Sequence, residues 1–185
     1  MHSGKGVLKL AAKIDDVRDW IEDTIAQYRS QATPVADLNL PKLSRYLPAW
    51  LLQKARTVHL TDLMPLLPQN EDDLQEVWGD GEAITYEAIT YGDTIFLKEG
   101  FQSEVLYFHE LVHVIQWDRL GTDNFLLAYL TGLLECGYRE NPLEKIAFFL
   151  QESFRHGKLP ADVTGWIHKH ADLIWQEAAQ SGSVA

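Results

Sequence analysis

The chain is poor in sulfur, with one cysteine, Cys136, and two methionines. One cysteine closes no internal disulfide and builds no cysteine-rich zinc knuckle, so any bound metal must be held by His, Asp or Glu. Basic residues are also scarce: 16 Lys and Arg stand against 27 Asp and Glu, a net charge of -11. That balance repels phosphate backbones and anionic lipid surfaces, and no nucleic-acid partner is expected. No apolar run approaches the roughly 18 residues of a membrane span, so no membrane insertion is expected either. The opening MHSGKGVLKLAAK is too interrupted by Lys9 and Lys13 for a secretory signal. The expected compartment is the cytoplasm, with unclassical export left open.

What is present is ordinary globular material: 185 residues, 46% hydrophobic and 23% charged. This length favours one domain with a short extension. Leu10, Ile14, Val17, Ile21 and Ile25 fall three or four apart and predict an amphipathic helix over 7–29. Pro34, Pro41 and Pro48 then argue for a winding connection over 31–48. Residues 1–50 thus form a helix and linker, fit to act as a cover or prosegment for a domain over 51–185.

Within that domain a short helix is expected over 50–54 and a strand over 56–61, stopped by Pro65 and Pro68. A helix over 71–78 follows, opened by the acidic run Glu71-Asp72-Asp73, which suits a helix N-terminus without any calcium loop. Next comes the tandem pentapeptide EAITY, at 82–86 and 87–91, too short to mark a solenoid. Gly92-Asp93 separates two β-rich stretches, so 89–97 reads as a hairpin. Helices are expected over 103–120 and 122–136, each closed by a glycine, then from Asn141-Pro142 to about Gly157, and over 163–179. The fold class is therefore α+β, a small sheet followed by a helical half.

The chemistry is concentrated in Tyr107-Phe-His-Glu-Leu-Val-His-Val-Ile-Gln116, which contains HExxH. Two histidines four apart share one helix face, so both imidazoles reach a single ion while Glu110 stands beside the open position. The surrounding apolar residues predict a buried helix, in which unpartnered polar groups would each cost about 2–7 kcal/mol. The bland alternative is that His109 and His113 bond to core carbonyls while Glu110 faces water.

A catalytic site of this kind needs a third ligand. The extended pattern HExxHxxGxxH fails, with Gln116 in place of Gly and Arg119 in place of the third His. The remaining solution is a Glu on a later helix: Glu135, Glu140, Glu144 or Glu152. Glu144 comes first because it lies in the first turn of a capped helix. Asn141 to Glu144 also has the spacing of a capping box, which would turn the carboxylate back to the cap, and position alone does not separate the two.

These motifs resemble the zincin-like metallopeptidases of the gluzincin type. The likeness is to the metallopeptidase-like core domain associated with bacterial extracellular contractile injection systems. It rests on Ala88-Ile-Thr-Tyr-Gly-Asp-Thr-Ile-Phe-Leu97, the HExxH helix and Asn141-Pro-Leu-Glu144, and covers about residues 56 to 150. It departs at Trp117, where many of those domains carry a Gln. The resemblance implies zinc held by His109, His113 and Glu144, with Glu110 as general base for hydrolysis of a peptide or protein substrate. It also implies an edge strand beside the HExxH helix, expected to be Thr94–Leu97, that pairs with extended peptide.

An oxyanion donor is expected, and Tyr138 is put forward before Tyr129 and His156. The competing readings are a noncatalytic zincin-like module that binds partners, linked to a secretion or injection apparatus, and an interaction domain with a closed structural metal site. His59 is expected to be a structural histidine, and His168 and His170, two apart, cannot share a helix face. The six tryptophans are expected to fill the core and its margins. Nothing in the sequence bears on oligomeric state.

Overall fold

The computed structural model describes residues 3–61 and 87–183, with side chains described for 12–61 and 87–180. The helix expected over 71–78 with its acidic run, Trp78, the first EAITY copy, Pro65 and Pro68 lie outside the described residues. The described elements are α1 (Ser3–Tyr28), β1 (Thr33–Pro34), a 3-10 turn (Val35–Leu38), α2 (Pro41–Tyr46), α3 (Ala49–Lys54) and β2 (Arg56–Leu60). After them come β3 (Ala88–Tyr91), β4 (Thr94–Lys98), α4 (Glu104–Leu120), α5 (Thr122–Cys136), α6 (Pro142–Arg155) and α7 (Val163–Ser183). Among the described residues this is an α+β arrangement, a small mixed sheet with helices before and after its main strands.

The sheet runs β1-β2-β4-β3, with β2 and β4 parallel and the other two pairs antiparallel. Tyr91 pairs with Thr94, so Gly92-Asp93 is a two-residue hairpin loop, and Gly92 supplies the positive φ of 59° that it requires. Contrary to expectation, Thr94–Leu97 is not the edge strand: β4 lies between β2 and β3, and among the described residues the edge beside α4 is β3. The reason is legible in burial. Thr94, Ile95, Phe96 and Leu97 are all buried, as a strand covered on both faces must be.

Residues 31–48 are more ordered than three prolines would suggest. Pro41 occupies the first turn of α2 and Pro48 caps α3, positions where a missing N–H costs nothing, so these prolines start short helices. α1 does not stand apart: Ile14, Val17 and Ile21 share one core with Val58, Phe96, Trp117 and Phe125, and Trp20 sets its ring edge against Tyr91.

α4 is the central element. Every residue from Tyr107 to Trp117 is buried, as expected for a helix that is apolar nearly all round. Ser103 caps it by accepting the Leu106 N–H, and Gly121 ends it at φ 74°. α2, α5, α6 and α7 pack against it, α6 and α7 most extensively. α5 and α6 meet closely because Gly132 has no side chain: a Cβ there would lie 2.9 Å from Asn141 Oδ1 and 3.0 Å from Pro142 Cδ. No described helix is long and apolar enough to cross a membrane.

Candidate metal centre

α4 points His109 and His113 to one side, as the four-residue spacing requires, and their Nε2 atoms lie 3.2 Å apart. Glu144, in the first turn of α6, brings Oε2 to 3.3 Å from His109 Nε2 and 3.5 Å from His113 Nε2. All three side chains are buried. The capping-box geometry is not adopted. Asn141 caps α6 with its own Oδ1, which accepts the Leu143 N–H, while its backbone N–H donates to the Tyr138 carbonyl. Glu144 is thereby left to turn inward, where the Tyr129 hydroxyl donates to its Oε1 at 2.7 Å.

The other carboxylates considered as ligands lie on the surface. Glu140 pairs with Lys145, Glu152 with Arg155 and His156, and Glu135 is exposed. His156 is thus placed away from the site. His59 bonds to the Tyr107 hydroxyl at 2.7 Å, and His170 donates its Nδ1–H to the Trp166 carbonyl. Tyr138 is half-buried and lines the same cavity as the two histidines, Glu110 and Glu144.

Three contacts around the centre are not announced by the motif. The Thr90 hydroxyl, on β3, donates to Glu110 Oε2 at 2.7 Å. Gln116 Oε1 lies 2.9 Å from His113 Nδ1, and Tyr129 holds Glu144 as described. Gln116 carried a signal, standing three residues after His113 on the same helix face. Thr90 carried none, and Tyr129, put forward as an oxyanion donor, gives its hydroxyl hydrogen to Glu144, a contact that only the tertiary fold creates.

Burial and charge oppose each other across the cluster. Burial disfavours the charged form of His113, but the Glu144 carboxylate and Glu110 outweigh it and hold the imidazole up to about 9. Burial likewise pushes Glu144 upward, and His113 with His109 overrides it, holding the carboxyl well below its usual range. Even so, His109 Nδ1 and Glu144 Oε2 are buried without any hydrogen-bond partner. Two imidazole nitrogens and a carboxylate oxygen converge, all within 4.8 Å of one another. Three electron-rich atoms turned on one point are mutually repulsive unless a cation or protons lie between them, so the group fits a metal ion.

A cavity of about 60 Å³ adjoins the cluster. Thr90, Glu110 and Tyr138 line it together with the three donors, and the rest of its wall is mostly apolar, from β3, α4 and α5. At about 10–15 Å³ per water, it has room for a few waters beside an ion.

No protein-family model, no curated protein and no solved structure matches this chain.

Proposed function

We propose that the chain is a zinc-dependent peptidase of the zincin-like kind, acting on a peptide or protein substrate. The observation that carries this reading is the layout of the buried cluster. Three protein donors face one point, and Glu110 lines the same small cavity as they do. A structural zinc site is closed by four protein ligands, whereas a catalytic one keeps a position free.

His109, His113 and Glu144 would hold the ion, which when bound supplies Lewis acidity to a carbonyl oxygen and to water. Glu110 accepts the proton that water loses as its oxygen adds to the peptide carbonyl carbon. It returns that proton to the nitrogen as the C–N bond breaks. Thr90 holds one oxygen of this carboxylate and leaves the other to work. Tyr138, on the cavity wall, is the donor assigned to the developing oxyanion, and Tyr129 keeps Glu144 in place.

The test is digestion of a peptide library, read by mass spectrometry, with zinc content measured on the same samples. Wild type is expected to bind one zinc and cleave. Glu110→Gln is expected to keep the zinc and lose cleavage by about 100- to 10,000-fold, the usual worth of a general base. Zinc-loaded wild type that cuts nothing in the library, or a Glu110→Gln variant that cuts as well as wild type, would leave a noncatalytic module instead.

A further inference from the structure

Two helices supply the candidate donors, and one side chain joins them. Gln116 is fully buried. Its Nε2 donates to the Leu143 carbonyl at 3.1 Å, one residue before Glu144, and its Oε1 meets His113 Nδ1 at 2.9 Å. Turning the amide over would set its oxygen against the Leu143 carbonyl, two acceptors with no hydrogen between them, so the backbone fixes the orientation. His113 Nδ1 must then carry the hydrogen and donate it to Gln116. In the neutral ring the lone pair falls on Nε2, the atom turned toward His109 and Glu144.

We propose that Gln116 is the positioning residue of this centre. It locks the tautomer and ring plane of His113 and ties that ring to the turn carrying Glu144, so that donors from α4 and α6 arrive as one preassembled set. The inference rests on the reading above only in taking the cluster to bind a metal, and not on peptidase turnover. Packing alone does not account for Gln at this place. An aliphatic side chain would fill the volume, whereas a buried carboxamide costs free energy unless its polar atoms are paired. Both ends are paired here, one to each ligand-bearing helix. A carboxylate could receive the His113 hydrogen but could not donate to Leu143.

The test is zinc affinity, measured by competition with a chromophoric chelator, together with the visible absorption spectrum of the cobalt-loaded protein. Gln116→Met is expected to weaken zinc binding about 10- to 100-fold, the usual effect of losing a partner behind a ligating histidine, and to alter the cobalt spectrum. Gln116→Glu keeps the His113 acceptor and is expected to fall between Met and wild type. A Met variant with wild-type affinity and an unchanged spectrum overturns the inference and leaves the metal site standing.

Should Gln116→Met fail to fold, ring-nitrogen NMR of zinc-loaded wild type decides. The hydrogen is expected on His113 Nδ1 and the metal at Nε2, and the opposite assignment overturns the proposal. Wild type that binds no zinc overturns both this inference and the peptidase reading. Zinc binding with the expected variant effects but no cleavage overturns the peptidase reading alone.

Discussion

The chain pairs glutamate with histidine in two places on α6, and the two pairs are opposites. At the C-terminal end, Glu152 Oε1 meets His156 Nε2 at 2.7 Å, with both side chains more than half exposed. At the N-terminal end, Glu144 Oε2 stands 3.3 and 3.5 Å from two histidines, with every partner at 7% exposure or less. The shorter contact is the less consequential one. Its partners are wet and screened, and such pairs contribute little. The longer contacts sit where charge is costly, carry unpartnered atoms, and converge on a point instead of closing on each other. The exposed pair is satisfied within itself, whereas the buried atoms face one point that could hold a metal ion.

The sharpest way to break this contrast is to remove each carboxylate in turn. Glu144→Ala is expected to lose stoichiometric zinc and to destabilise the metal-free protein by on the order of 3 kcal/mol, as breaking a buried pair does. Elemental analysis and denaturant melts read both effects.

Acidity comes next. In the metal-free protein His113 is held up to about 9 against 6.5 for the free group, so its contribution is complete below pH 6.5 and lost as pH rises through 9. The depressed Glu144 contributes fully above pH 4.5 and loses its contribution as pH falls toward its folded value. The pair therefore stabilises the metal-free protein most between pH 4.5 and 6.5. Zinc must displace the His113 proton, so zinc is expected to raise the unfolding midpoint more at pH 8 than at pH 6, as thermal melts with and without zinc would show.

Thr90→Val strips the hydroxyl from a buried carboxylate and is expected to cost about 1.5–3 kcal/mol, with Thr90→Ser recovering most of it in the same melts. Gly132→Ala crowds Asn141 and the start of α6, for a cost of about 1–3 kcal/mol and weaker zinc binding, read by melts and chelator competition. Smallest of all, Glu152→Ala is expected to leave zinc binding unchanged and stability within about 0.5 kcal/mol. A large effect there would erase the distinction between the two pairs.

Much of this contrast is legible in the amino-acid sequence. Local signals carry α4: a serine cap, an unbroken apolar helix, a glycine stop and two histidines one turn apart. The same holds for α6, where Asn141-Pro142 fixes the start and places Glu144 in the first turn. What escapes depends on contacts distant in sequence. The order of β3 and β4 is set by which strand pairs with β2, although the apolar run Ile95-Phe96-Leu97 does hold a clue to a doubly covered strand. Between 31 and 48 the prolines are legible and their positions are not, because a helix start and a helix break look alike until the neighbouring turn is known. Likewise, Glu144 is indistinguishable from a capping residue by spacing. It is freed for the site because Asn141 bonds to Leu143 and Tyr138.

The most direct measurement is anomalous diffraction at the zinc edge from crystals of zinc-loaded protein. One strong peak is expected between His109 Nε2, His113 Nε2 and Glu144 Oε2, with no fourth protein ligand. No peak among those three atoms, or a zinc ion bound elsewhere while the imidazoles close on Glu144 directly, would contradict the metal centre and everything built on it.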